Sequence, residues 1–393
     1  MKSLKNRLNY MTKSINNNKI VIMILGLGSV GTYLLDYLLS TENERFEIVV
    51  LGRNKEKIES DINIVRISSL IRNKNRSTVI VEGNIDFECI EKLEMCIRKY
   101  NPNFIINSSR VYAGLKYGSI SWNKLRAYGI WTPLAIKYIK NIMEACEKAD
   151  TNAIVINTSY SDAVIPWLKS AEKPYPDFGS GNLNHLIPRI KYAVADMLNI
   201  DDYWEIKVVL ATGHFHDVVI SKEGHNEKVE QLLKIYYDGN ELNIDQNEIL
   251  KRCKIVMPTD SKRNMMNASS NYDIIMSIIN AVRYKKIINF FSPGVFGEIG
   301  GYPVTVDGQE ECNIYINTLT FTIDDMRVAN KKSMELDGIE DINNGNLVYT
   351  DILLDKVKNN FGVELPKVVN YKEIDTVAQL IIDKIIIPNM RMR

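Results

Sequence analysis

Disulfide chemistry is nearly absent from this sequence. Its 393 residues hold five cysteines, Cys89, Cys96, Cys146, Cys253 and Cys312, scattered without a Cys-x-x-Cys pair. That pattern excludes a disulfide-stapled secreted scaffold and a zinc ribbon, and predicts buried free thiols in a reducing cytoplasm. Histidine is scarce too, with four in the chain. No apolar run reaches membrane-spanning length, and the first 18 residues are polar and basic with no apolar core. Neither a membrane partner nor a secretory signal is therefore expected, and residues 1–18 read as a basic arm or an added helix. Charge of one sign is also missing: Lys plus Arg number 49 against 48 for Asp plus Glu, a formal charge of +1. Such a balance gives no global field for nucleic acid. No internal repeat or low-complexity tract interrupts the chain. What remains is 45% hydrophobic, enough for two ordinary domains with real cores.

The most informative stretch is Val21-Ile-Met-Ile-Leu-Gly26-Leu-Gly28-Ser-Val-Gly31, an apolar strand feeding a glycine turn that opens a helix. Gly26 would make the tight turn, Gly28 would let the backbone approach a pyrophosphate, and Gly31 would let helix pack on strand. The N–H groups of Leu27, Ser29 and Val30 would then face the phosphates at the helix N-terminus. A second strand, Phe46–Leu51, ends in Gly52-Arg53-Asn54, where NAD-binding proteins usually carry an acidic residue for the ribose 2′-hydroxyl. With no carboxylate to repel a 2′-phosphate and Arg53 available to pair with it, NADP is favoured over NAD. The alternative is that Arg53 stacks on adenine or faces water. Ser108 and Asn157, at the ends of later strands, would complete the cofactor site.

Alternation of strands and helices to Asn157 predicts a parallel sheet with helices on both faces. Strand candidates are Thr78–Val81, Asn103–Asn107 and Asn152–Asn157; helical spacing covers residues 54–70, 85–100 and 124–148, with Pro133 starting or kinking a helix. Residues 170–182, rich in Pro, Gly and Lys, read as a loop near a domain boundary. Beyond it, Trp204–Ala211, Val218–Ile220, Ile287–Phe291, Tyr302–Val306 and Asn313–Asn317 read as strands, and residues 271–286 and 323–334 as helices. The expected division is a Rossmann domain over 19–162, an α+β substrate domain over 163–342 and a helical extension over 343–393.

The order of these elements resembles the lactate/malate dehydrogenase family over roughly residues 19–340. Beside the glycine loop, the resemblance is carried by Asn157-Thr-Ser-Tyr-Ser-Asp162 and Gly179-Ser-Gly-Asn-Leu-Asn184, and by Gly213-His-Phe-His-Asp217 and Gly297-Glu-Ile-Gly-Gly301. It implies a doubly wound sheet followed by an α+β substrate domain, a homo-oligomer (dimer or tetramer), and hydride exchange between nicotinamide and a small-molecule substrate. A histidine would exchange the accompanying proton, a task suited to a pKa near neutrality. His216 is the preferred acid/base and His214 the alternative, with Asn157 and Asn184 beside it; Tyr160 or Lys124 would be the next proton source. Three positions depart from the family: Asn184 stands where it has an aspartate, and Ile187 and Trp122 where it has arginines. Arg126, Arg189 and Lys124 are candidate replacements in a substrate site that would include Trp122 and Tyr160. Lys116, Tyr117, Trp122 and Trp131 would make that site more apolar and aromatic.

The resulting expectation is an NAD(P)-dependent oxidoreductase acting on a carbonyl or imine (or alcohol or amine) rather than a simple 2-hydroxy acid, with specialised metabolism as a candidate setting. No metal is expected. Two other classes stay open: a catalytically silent nucleotide-binding sensor or scaffold, and an enzyme related to the NAD-dependent family-4 glycosidases, whose Asn-His signature Asn182-Leu-Asn-His185 faintly resembles.

Overall fold

The computed structural model describes residues 1–42, 44–72, 76–112, 118–229 and 231–391. Six parallel strands form the central sheet: β1 (Ile20–Leu25), β2 (Phe46–Leu51), β3 (Thr78–Glu82), β4 (Phe104–Asn107), β5 (Ile154–Asn157) and β6 (Phe178–Gly179). Their spatial order is β3-β2-β1-β4-β5-β6, so the direction of winding reverses between β1 and β4. Such reversals open a crevice at the carboxyl ends of the strands. β1 is buried along its whole length and divides its side chains by alternation. Val21, Met23 and Leu25 join the core on one face, and Ile20, Ile22 and Ile24 join the core on the other. Helices Ser29–Leu39 and Asn264–Tyr284 cover the second face; helix Thr132–Lys148 covers the first, with Pro133 in its opening turn.

The residues at 1–18 are a docked helix, Leu4–Asn16, rather than a loose arm. Its Arg7 is 5% exposed and forks onto Asp177 through Nη1 (2.5 Å) and Nη2 (2.6 Å), with a further bond to the Ala153 carbonyl. Asp177 also accepts from the Val155 N–H, at the start of β5. The Pro/Gly-rich tract at 170–182 contains β6, too short for its composition to announce. Val218–Ile220 is not a strand: it lies inside the helix His214–Glu223, capped by Gly213 and ended by Gly224 in a left-handed conformation (φ 78°). Its apolar run was too short to separate a buried helix turn from a buried strand.

Three antiparallel sheets follow, of which Ile287–Pro293, Gly301–Asp307 and Asn313–Ile316 form one. The C-terminal part is not purely helical either. Ile339–Asn343, Asn346–Tyr349 and Val368–Asn370 pair into a small sheet. Ile339, Leu347, Tyr349, Val377 and Ile381 from this part belong to the same core as Met23 and Ile139, so it closes one face of the nucleotide domain. All five cysteines are free thiols. No helix among the described residues is long and apolar enough to cross a membrane.

Candidate active site

At the carboxyl end of β1, Gly26 adopts φ 89°, a conformation open to glycine. A Cβ on Gly31 would stand 2.3 Å from the Gly26 carbonyl oxygen, whereas one on Gly28 would meet nothing within 4 Å. The two glycines thus do different work: Gly31 admits close packing of helix on strand, and Gly28 leaves open space at the N-terminus of helix Ser29–Leu39. A groove of about 270 Å³ opens there, lined in part by Leu27, Gly28, Ser29 and Thr32. Unpaired N–H groups and the helix dipole favour an anion at such a place. Val30 is half-buried beneath it. Ser108 donates to the Gly26 carbonyl at 2.6 Å and so fixes the turn. Ser29 accepts from Asn264 Nδ2 at 2.6 Å, which ties the loop to the helix Asn264–Tyr284. At the end of β2, Gly52 is buried against Ile58, Arg53 is exposed, and Asn54 Oδ1 accepts from the Lys57 N–H at the start of the next helix.

The same sheet edge carries a cluster of ionisable side chains. Asp162, in the first turn of the helix after β5, accepts from the His214 backbone N–H at 3.0 Å. The His214 ring lies between Tyr128 and Tyr160, both edge-on with centroids 5.1 Å away. Its Nδ1 meets Asp337 Oδ2 at 3.0 Å. Asp337 is a junction: Oδ2 also accepts from Tyr160 Oη (2.5 Å), Oδ1 from the Tyr128 N–H (2.6 Å), and its carbonyl from the Gly129 N–H (2.8 Å). His214 keeps 12% of its side chain exposed, and among the described residues its Nε2 makes no hydrogen bond. Burial works against the charged ring, but the Asp337 hydrogen bond and the charges of Asp337, Asp162 and Asp217 outweigh it and raise His214 to about 9. Burial is also the main reason that Asp162 is pushed above the ordinary carboxylate range and Tyr160 well above its own. This arrangement can hold a proton on Nε2 and present it to a neighbouring atom.

The other expected site residues are dispersed. His216 is fully buried; its Nδ1 pairs with Ser333 Oγ (2.6 Å) and its Nε2 with the carbonyls of Asn226 (3.1 Å) and Val229 (2.9 Å). Neither ring nitrogen is left for a substrate, because the chain turns into a helix at His214 and sends residue 216 to the opposite side. Asn184 donates to the Phe291 carbonyl and accepts from the Gly181 N–H, and among the described residues makes no hydrogen bond to a histidine ring. Asn157 is enclosed at the end of β5, accepting from Asn107 and donating to Ser159 and Ser161. Arg189 is 3% exposed and donates to the Cys253 carbonyl at 3.2 Å. Lys124 reaches Asn389 at 3.1 Å. Arg126 forks onto Glu223 (2.7 Å for each bond) and also meets Glu227, while its guanidinium covers Trp122 at 4.7 Å. Trp122 in turn stacks on Phe215. Glu223, His225 and Glu227 could also group around a metal ion, but the Arg126 cation already holds both carboxylates. Trp131 is buried and donates to Ser121 at 2.7 Å; Lys116 and Tyr117 lie outside the described residues.

Sequence reasoning did not bring Asp162, Asp337 and Tyr128 to His214, nor did it single out Asp217 or Arg263 as site residues. Asp162 and Asp217 stood inside motifs already singled out, so an acidic residue beside the histidine was a usable signal. Asp337, far along the chain beyond a surface helix, gave none.

In sequence, no protein-family model and no curated protein matches this chain. Solved structures do match it. A malate dehydrogenase of Cryptosporidium parvum superposes with TM-score 0.51 at 16% identity, over 81% of this chain and 98% of that one. A malate dehydrogenase of Plasmodium falciparum, solved with NADH, gives 0.51 at 14% identity over 80% and 95%. A lactate dehydrogenase of Eimeria maxima, solved with NADH and oxamate, gives 0.53 at 16% identity over 81% and 94%. At these identities the likeness speaks for architecture: the chain has a divergent lactate/malate dehydrogenase-like fold.

Proposed function

We propose that this chain is a nicotinamide-dependent oxidoreductase in which His214 is the acid/base. The observation that carries the reading is His214 itself: Nδ1 anchored by Asp337, Nε2 without a partner among the described residues, and its N–H bonded to Asp162 beyond the carboxyl end of β5. Pairing a glycine cradle with a poised imidazole suits hydride transfer coupled to proton transfer, since both reagents must reach one carbon–heteroatom bond. Bound at Gly26–Gly31, a nicotinamide dinucleotide would supply or accept the hydride. His214 Nε2 would give a proton to the carbonyl oxygen or imine nitrogen during reduction and take it back during oxidation. Asp337 fixes the tautomer and stabilises the imidazolium, as a carboxylate on the far ring nitrogen does in other histidine sites. His216 is not assigned this role, because both its nitrogens are engaged.

Two lines of support differ over the adenosine end. Arg53 with no carboxylate nearby favours NADP, whereas the neighbours solved with NADH favour NAD. A clamp of two arginines on a substrate carboxylate has no counterpart in Arg126 or Arg189, each bonded elsewhere, which supports a substrate other than a simple 2-hydroxy acid. Fluorescence titration with NADH and NADPH, followed by turnover with His214→Asn as control, tests the reading. Binding of neither cofactor would overturn it; binding without turnover of any carbonyl or imine would favour the silent sensor or scaffold.

A further inference from the structure

One turn beyond His214 on the same helix, Asp217 is 1% exposed and makes no hydrogen bond or ion pair among the described residues; its Oδ1 is wholly enclosed. Burial pushes its carboxyl above the ordinary range against the opposing charges of Arg189, His214 and Arg263, so a cationic ligand group bonded to it would hold it ionised. Nor is it alone. His185 is 4% exposed with both ring nitrogens unpartnered, and Asn267 Oδ1 and Arg189 Nε are enclosed and unpartnered too. Asn267 and the Met266 backbone approach the His185 ring without closing a hydrogen bond on it, and burial pushes that ring down to about 3. These groups come from three neighbouring elements: the helix His214–Glu223, the turn Asn182–His185 with the helix after it, and the helix Asn264–Tyr284.

Arg263 completes the picture. It precedes Asn264, whose side chain reaches Ser29 of the glycine loop, so its backbone lies near that loop. Half-buried, its guanidinium makes no hydrogen bond or ion pair among the described residues. It is near enough to Asp217, His185 and Tyr128 for its charge to be felt at each. A cation and an enclosed carboxylate near one another, neither of them bonded among the described residues, suit a ligand that carries both charges. Resting on the oxidoreductase reading above, we infer that Asp217 and Arg263 determine substrate specificity: Asp217 receives a protonated nitrogen and Arg263 an anionic group, so the substrate is a zwitterion of the amino-acid class. An arginine clamp for an anion alone would leave Asp217 repelling its ligand.

Three probes sharing one apolar frame test this: phenylalanine (both charges), phenylpyruvate (anion only) and phenethylamine (cation only). Binding of each is measured by calorimetry to the protein with and without NADH. Phenylalanine is expected to bind at least about tenfold more tightly than either other probe, the scale of one charge-assisted contact. Arg263→Met should lower phenylalanine affinity about tenfold and leave phenethylamine unchanged. Asp217→Asn should weaken phenylalanine and phenethylamine alike and spare phenylpyruvate. Tightest binding by phenylpyruvate, binding of none of the three, or variants without these selective losses would overturn the inference. So would a loss of NADH affinity in Arg263→Met, which would assign that guanidinium to the cofactor. If Asp217→Asn fails to fold, the half-buried Arg263→Met carries the test. Failure of NADH to bind overturns the oxidoreductase reading alone, because the charge preference is still read in the NADH-free protein.

Discussion

Replacing Asp337 by Asn removes one charge and almost no volume, and its effect can be worked out before any substrate is known. His214 stands at about 9, against an ordinary value near 6.5, a difference of roughly 3 kcal/mol between its two protonation states. Burial alone would drive the ring the other way; Asp337 is the main opposing cause. In Asp337→Asn the imidazole should therefore titrate at or below its ordinary value. The sign for stability follows. Because the folded pKa lies above the unfolded one, the stabilisation is complete below about pH 6.5 and is lost as pH rises through about 9. The native protein should lose about 3 kcal/mol across that window relative to Asp337→Asn. Imidazole resonances read the ring directly, and four histidines make assignment by single substitutions straightforward. His185 and His216 are both lowered by burial, so neither competes for a high-pH titration. Absence of a ring titrating near 9, or its persistence in Asp337→Asn, would refute the dyad.

Gly28→Val should abolish binding of NADH and NADPH, by about a hundredfold or more, with little change in thermal stability, since a side chain there meets no protein atom within 4 Å; cofactor fluorescence and a melting curve separate the two effects. Arg7→Met should cost about 3–5 kcal/mol in denaturant unfolding, the penalty for stranding a buried carboxylate, while cofactor affinity stays as it was; a loss under about 1 kcal/mol would mean that the Arg7–Asp177 pair behaves like a surface ion pair. Pyruvate and oxaloacetate should be reduced with kcat/KM well below about 10⁴ M⁻¹s⁻¹, because a missing bidentate arginine costs about 2–5 kcal/mol; ordinary rates in a cofactor-oxidation assay would show that an arginine rearranges to clamp them.

Much of the nucleotide half was legible because each of its elements is long, buried and locally self-consistent. Val21–Leu25 alternates between two cores, the glycines fall where φ and close packing require them, and Pro133 sits in a first turn. Legibility failed where few residues decide. β6 is two residues held by pairing with β5, and pairing partners leave no local mark. Val218–Ile220 shows the other failure: three apolar residues suit a strand or a buried helix turn equally, and Gly213 with Gly224 settles it through capping. The small sheet at 339–370 escaped because the neighbouring helices carry the stronger periodicity.

At the candidate site, the segment 213–217 takes a different local structure from the one its sequence suggests. Preferring His216 went with placing this segment between two strands, Trp204–Ala211 and Val218–Ile220. Instead the helix begins at His214, and helical rotation places residues 214 and 217 together, three apart, while carrying 216 away. Asn184, which the dehydrogenase resemblance singles out as a lost aspartate, shows why position is a poor guide to role. Its amide is used in holding the Phe291 carbonyl, so no charge is needed there. The charge beside the imidazole comes from Asp337, at the end of the helix Ile323–Leu336, and the chain between 126 and 131 is bonded to it at Tyr128 and Gly129. A carboxylate supplied from the far end of the chain can orient the same ring nitrogen as one supplied from the next helix, since the imidazole responds only to the atom at its Nδ1. That freedom leaves Asp217 acting on His214 through its charge alone, and an enclosed carboxylate with no hydrogen bond among the described residues is the feature from which the inferred substrate class is argued.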